Sequence, residues 1–238
     1  MIVAAHQPHY LPWLGYLDKL AKADVFVVMD DLQYEAQNFQ NRQRLRLPTA
    51  PAWLTVPLEH GAQADRICDK QIDNRSSDKQ HWQRRHWLTI ETNYSRAKYF
   101  DRYADELRAV YTRPWNRLLD LDLHMLSLAR DWLAIETPVV LASSLGLAGH
   151  KTDRLVDMCA KLGAHSYLSG RGGSQSYLDV QQLDRAGVSV IWQDFIHPVY
   201  PQRYPSRGFD AHLGFLDLLF NCGERSLGGL SGARVVAA

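Results

Sequence analysis

Two imidazoles, a carboxamide and three aromatic rings crowd one short stretch, His6-Gln7-Pro8-His9-Tyr10-Leu11-Pro12-Trp13-Leu14-Gly15-Tyr16. Imidazole titrates near neutrality, so His6 is a candidate acid/base group, or a donor to a phosphate or a developing oxyanion. Pro8 and Pro12 stiffen the connection, which holds neighbouring side chains in place before a ligand arrives. Gln7, His9, Tyr10 and Trp13 are the candidate substrate contacts. For His9 and Tyr10 the structural alternative is that they cap the next helix and fill a corner.

Three further clusters carry usable chemistry. In Asp30-Asp31-Leu32-Gln33-Tyr34, a carboxylate ending a β-prone run can orient an imidazole, bind an amine or hold Mg²⁺. Alternation aims Asp31 and Gln33 at one face, or else the two aspartates form a solvated turn. Downstream, Asn41 and Arg42 offer an amide and a planar fork suited to carboxylate or phosphate. Arg42, Arg44 and Arg46 alternate, and for Arg44 and Arg46 the competing expectation is a solvated edge-strand face. The run Ser169-Gly170-Arg171-Gly172-Gly173-Ser174 suits an anion approached by backbone amides, with Gly170 and Arg171 as its candidate contacts, or a plain flexible loop. Last, His197-Pro198-Val199-Tyr200-Pro201-Gln202 supplies a third candidate catalytic residue, His197, with Tyr200 and Gln202 as substrate contacts. The zinc-protease, nucleophile-elbow and P-loop patterns are absent from the sequence, and His6 and His9 have no identifiable third partner for a metal, so no metal ligand is assigned.

The elements that must position these groups read as an α/β protein. Ile2 to Ala5 and Val25 to Met29 are β-prone, and Leu14, Leu17, Leu20 and Ala21 recur between them at helical spacing behind Pro12. Strand, helix, strand is the unit of a parallel sheet, whose ligand crevice lies at the strands' carboxyl ends. Trp53 to Leu58 resumes a strand pattern. A mostly helical segment is expected over about 78 to 134, as a layer or insertion whose tryptophans pack a core. Strands at Val139–Ala142, Tyr167-Leu168 and Val188–Gln193 then alternate with helices over Thr152–Leu162 and Val180–Ala186. The tail after Asn221, rich in glycine and serine, is expected to fray. The expected architecture is one α/β domain over 1–238, a mainly parallel Rossmann-like (HUP-like) sheet with the helical segment in the middle of the chain.

Composition narrows the function classes. In 238 residues, 27 Lys+Arg balance 26 Asp+Glu, which removes the electrostatic argument for a nucleic-acid partner. Three scattered cysteines without a Cys-x-x-Cys pair, and no signal-peptide or membrane-span pattern, place the expected location in the cytoplasm. Aromatic residues reach 11%, led by tryptophan and tyrosine. Tyr10, Trp13, Tyr34 and Tyr200, each beside His, Asp, Gln or Arg at loop positions, are expected to line a pocket.

Over nearly its whole length the sequence resembles the WbqC-like family, named for members encoded in bacterial O-antigen clusters. The landmarks are His6-Gln7-Pro8, Tyr10-Leu11-Pro12-Trp13 with Gly15, Asp24-Val25-Phe26, Asp31 with Gln33, Asn41-Arg42, Trp53-Leu54-Thr55-Val56-Pro57, Tyr167-Leu168-Ser169-Gly170, and His197-Pro198 with Tyr200 and Gln202. The resemblance implies a role in surface-polysaccharide or amino-sugar metabolism, where some members look like glycine or aminoacyl transferases. The expected activity is amide formation between a small carboxylic acid and an amino sugar or nucleotide-sugar. The alternative is a non-catalytic sugar-nucleotide-binding or scaffold protein. The expected partner is a small molecule, an amino sugar or amino acid. The opening order also looks like that of nucleotidylyl-transferring enzymes of the HIGH superfamily, which would imply ATP with Mg²⁺. His6-Gln7-Pro8-His9 departs from their motif in lacking a glycine between the histidines.

Overall fold

The computed structural model describes residues 1–62, 64–75 and 81–223. Both the start of the expected helical segment at 78 and the Gly/Ser-rich tail from 224 lie outside these residues. In chain order the elements are β1 (Ile2–His6), α1 (Leu14–Ala21), β2 (Val25–Val28), β3 (Arg42–Leu45), β4 (Ala52–Thr55), α2 (Trp82–Tyr94), α3 (Phe100–Thr112) and α4 (Leu118–Trp132). There follow β5 (Val139–Leu141), α5 (Ala142–Leu145), α6 (Lys151–Leu162), β6 (Ser166–Ser169), α7 (Val180–Arg185), β7 (Ser189–Trp192) and α8 (Phe215–Cys222).

Five strands form one parallel sheet in the order β5-β2-β1-β6-β7. Among these five strands that is third, second, first, fourth, fifth, the doubly wound order of a Rossmann-like sheet. The chain winds outward one way from β1 and the other way from β6, so a crevice opens beyond the carboxyl ends of that pair. Alternation places Ala4, Phe26 and Val28 on one face and Val3, Ala5 and Val27 on the other. Both faces are covered, which explains why β1 and β2 are continuous apolar runs. Leu155, Met158 and Cys159 of α6 pack with Leu183 of α7 on the second face.

The first face carries α1 and the middle helices. Leu14, Leu17 and Leu20 of α1 share one apolar cluster with Trp82, Trp87 and Trp115, as expected for tryptophans of the helical layer. Phe220 of α8 lies with its ring 5.3 Å from Tyr94 of α2 and 5.1 Å from Phe100 of α3. Helix α8 was not foreseen in the sequence. It is eight residues long, and its N-cap Gly214 offers no side-chain cap, so only Gly223 at its C-terminus marks a boundary in the sequence.

The strands β3 and β4 form a separate antiparallel pair. There Arg42 and Arg44 lie over Trp53, their guanidinium carbons 4.2 and 5.7 Å from its ring centroid. The expectation of a solvated face fails at Arg46, which is fully buried. Arg46 pairs with Asp210 and donates to Gln202 Oε1 at 2.9 Å and to the carbonyls of Tyr204 and Gly208 at 2.9 and 2.6 Å. Period-two spacing carried no information about the segment that covers this end of the strand.

Candidate functional site

A cavity of about 620 Å³ occupies the crevice beyond β1 and β6. Its walls come from His6 and Gln7 at the end of β1, Trp13 and Lys19 around α1, Gly170 and Arg171 after β6, and Gln193 after β7. A smaller cavity of about 300 Å³ is lined by His9 and Phe39, and has His6, Gln7 and Trp13 among its walls as well. His6 thus stands where the two meet.

His6 lies deep in the chain but keeps an edge on the cavity. Its Nδ1 is 3.2 Å from the Gln7 carbonyl, which can only accept, so Nδ1 carries the proton and Nε2 is left as an acceptor. The ring packs 4.6 Å from His9 and 4.9 Å from Tyr16. Burial first, then the nearby Lys19 and His9, hold its pKa well below the ordinary 6.5. The expectation of an imidazole titrating near neutrality is therefore corrected: His6 is a neutral ring. Burial likewise lowers His9 to about 3, and its Nδ1 has no hydrogen-bond partner among the described residues.

The group near neutrality is Lys19, unremarked in the sequence. It is 5% exposed, its Nζ donates to the Ala5 carbonyl at 2.8 Å, and burial lowers its pKa from 10.5 to about 7. Its place in the sequence is unhelpful, because Lys19 follows Asp18 in a helix read by its leucines, and a lysine beside an aspartate suggests a wet face. Instead Asp18 is buried as well. It pairs with Lys22 at 2.8 Å and accepts from Gln193 Nε2 at 2.7 Å. Gln193 also donates to the Gly15 carbonyl at 2.8 Å, tying the end of β7 to the first turn of α1.

Trp13 forms an apolar wall. Its indole lies against the first turn of α1, where a Cβ on Gly15 would meet it at 2.1 Å, so glycine there makes room for the ring. Phe195 and His212 flank the indole, with ring centroids 5.6 and 5.5 Å away. Gln7 is held by Gln40, whose amide donates to Gln7 Oε1 at 2.9 Å, and itself donates to Glu35 at 3.3 Å.

Of the residues singled out in the sequence, His6, Gln7, His9, Trp13, Gly170 and Arg171 converge on the two cavities. The others lie elsewhere. Asp31 pairs with Arg154 of α6 and does not reach His6. Gln33 is exposed and bridges to Arg66 through the backbone. Asn41 donates to the Val56 carbonyl at 2.9 Å, and Arg42 to that of Gln37. Tyr10 is wholly buried, its hydroxyl 2.8 Å from His86 Nδ1 and 2.6 Å from that of Tyr111. Tyr34 lies 5.1 Å from Lys70 Nζ, outside both cavities. Tyr200 and Gln202 donate to the buried Asp217 at 2.9 and 2.8 Å. Of the four rings expected at a pocket, Trp13 lines both cavities, while Tyr10 and Tyr200 bond their hydroxyls inside the fold and Tyr34 lies beside Lys70.

His197 stands one layer back. Its Nδ1 donates to the Pro198 carbonyl at 2.9 Å and its Nε2 accepts from the backbone N–H of His212 at 3.1 Å. His212, which lines both cavities, has φ +58°, a left-handed conformation that a non-glycine residue holds only when its surroundings impose it. Among the described residues, no three His, Cys, Asp or Glu side chains gather to hold a metal ion, and no helix is long and apolar enough to cross a membrane.

The family model described as "WbqC-like protein family" matches residues 7–228. A curated relative from Mycobacterium tuberculosis (strain ATCC 25618 / H37Rv), "Uncharacterized protein Rv1507c", is 34% identical over 227 residues, covering 94% of this chain and 95% of its own. No solved structure matches the chain.

Proposed function

The chain belongs to the WbqC-like protein family, and on that premise we propose that it is a cytoplasmic amide-forming acyl or aminoacyl transferase or ligase. Its substrates are a small carboxylic acid in activated form and the amine of an amino sugar or nucleotide-linked sugar. The metabolic setting is surface-polysaccharide or related synthesis.

The observation that carries this reading is the neutral His6, its Nε2 left to accept, where two cavities meet that both have the Trp13 indole in their walls. Two adjoining cavities suit two reactants. The amine nitrogen attacks the acyl carbonyl, the C–N bond forms, and the bond to the leaving group breaks with its electron pair. The amine's surplus proton passes to Nε2 of His6. Trp13 offers an apolar face to the sugar ring, and Gln7, held by Gln40, orients a polar substituent. Where ATP activates the acid, it supplies the phosphate-bearing leaving group, and Lys19, Arg171 and the glycines after β6 are the residues to hold its phosphates.

Incubating the purified chain with a UDP-linked hexosamine, glycine and ATP with Mg²⁺ should give an amide-linked product by mass spectrometry. His6→Ala should slow its formation by about 10²-fold or more. One observation favours a second reading, a non-catalytic sugar-nucleotide binder: Asp31 is taken by Arg154, so it does not orient His6. That reading expects binding without product, lost in Trp13→Ala and kept in His6→Ala.

A further inference from the structure

Three glycines in four residues, Gly170, Gly172 and Gly173, line the larger cavity. None is among the residues with positive φ. A Cβ built on Gly172 or Gly173 meets nothing within 4 Å, and on Gly170 only Gln193 Oε1 at 3.8 Å. Elsewhere glycine has a packing reason: at Gly214 a Cβ would meet the Gln43 side chain at 2.8 Å. At Gly172 and Gly173 neither backbone conformation nor a Cβ contact with the described residues calls for glycine. What side chains there would fill is the cavity itself. Bare backbone at the carboxyl end of a central strand lets amides come close to an anion.

Lys19 is an independent sign of the same ligand. It reaches this cavity from α1, its Nζ bonded to a backbone carbonyl, and no ion pair to it is found among the described residues. The neighbouring carboxylate, Asp18, is already held by Lys22 and Gln193. A buried ammonium with no counter-charge is costly, and an anion in the cavity would supply one.

We propose that the larger cavity is a phosphate site, in which Lys19 meets the charge of a phosphate ester or diphosphate, the backbone of Gly170 to Gly173 approaches its oxygens, and Arg171 adds a second cation. This deepens the reading of the crevice as a nucleotide-sugar site and rests on it for the choice of substrate. Binding recharges Lys19, so at pH 8 the complex takes up a proton. The other ionisable groups facing the cavity are His6, Tyr16, Glu35, Tyr167, Tyr177, Asp194 and His212, with Arg171, and His9 lies close behind. A Lys19 variant isolates its share from theirs.

The test is calorimetric titration of the full chain with inorganic pyrophosphate at pH 8, in two buffers of different ionisation enthalpy, with acetate as the carboxylate control. Saturable pyrophosphate binding with proton uptake is expected. Lys19→Met should weaken it at least about tenfold and abolish the uptake, Lys19→Arg should keep part of the affinity without uptake, and Gly172→Val should weaken it in a chain whose circular dichroism is unchanged. Unaltered binding in Lys19→Met, no binding by the parent chain, or equal binding of acetate would each overturn the proposal. Phosphate binding without amide product would count against the reaction alone, and amide product with unaltered pyrophosphate binding in Lys19→Met against the phosphate site alone.

Discussion

Arg154 removes Asp31 from the chemistry of the crevice. The two side chains are 14% and 16% exposed, screened enough for their charge-assisted hydrogen bond to anchor α6 beneath the end of β2. Asp31→Asn should therefore cost about 2 kcal/mol of stability in urea unfolding and leave ligand affinity nearly intact. A loss of turnover with unchanged stability would instead make Asp31 an orienting partner. Lys19 and Asp31 show opposite errors of reading by residue type. A carboxylate at a strand end looks catalytic until its partner is seen. A lysine in a short helix looks solvated until the sheet edge above it is seen. His6, Gln7 and Trp13 were legible because they follow immediately on the strand that ends in the crevice, so chain continuity fixes their position.

The segment from Phe195 to Gly214 is the element whose purpose the sequence concealed. His197 reads there as a catalytic residue and Tyr200 and Gln202 as substrate contacts, yet they fasten the segment to the fold. Tyr200 and Gln202 donate to Asp217 of α8, Gln202 also accepts from Arg46 at 2.9 Å, and His197 accepts from the backbone of His212. The strap so held presents Phe195 and His212 to the indole of Trp13. Arg46 is its main fixing, with a planar fork that serves Asp210, Gln202 and several carbonyls at once. Lysine carries the charge but cannot match that fork. Arg46→Lys should lower stability by about 3 kcal/mol, as breaking a buried charged network does, and raise proteolysis between Pro201 and Asp210. Equal protease resistance in the variant would refute this account of the strap.

Across the whole molecule, one apolar cluster runs from the first sheet face through α1 to the middle helices, and it encloses a carboxyl group. Asp122 of α4 is 1% exposed and neither oxygen has a hydrogen-bond partner among the described residues. Burial raises its pKa well above the ordinary 3.8. A raised carboxyl pKa means that the folded chain keeps a proton the unfolded chain has released. Stability is then full below pH 3.8 and falls as pH rises toward the folded-state value. Asp122→Asn should raise the unfolding free energy more at pH 7.5 than at pH 4.5, by roughly 1–3 kcal/mol at the higher pH. An equal shift at both pH values would show that the carboxyl's charge is not the source. Hydrophobic periodicity and turn residues were sufficient to determine the α/β class, the parallel strands and the tryptophan-bearing helical layer, because those follow from local spacing and from the need to bury one face of each element. The sequence by itself also placed His6, Gln7 and the glycines after Ser169 at strand ends and Trp13 in the connection to the first helix. Only the tertiary structure decided which side chains meet. Strand order set β1 beside β6 across a long stretch of chain, bringing Lys19 and Gly170 to one cavity, while Arg154, Asp217 and His86 claimed Asp31, Tyr200 and Tyr10. Such pairings join residues distant in the chain, and no local pattern encodes them.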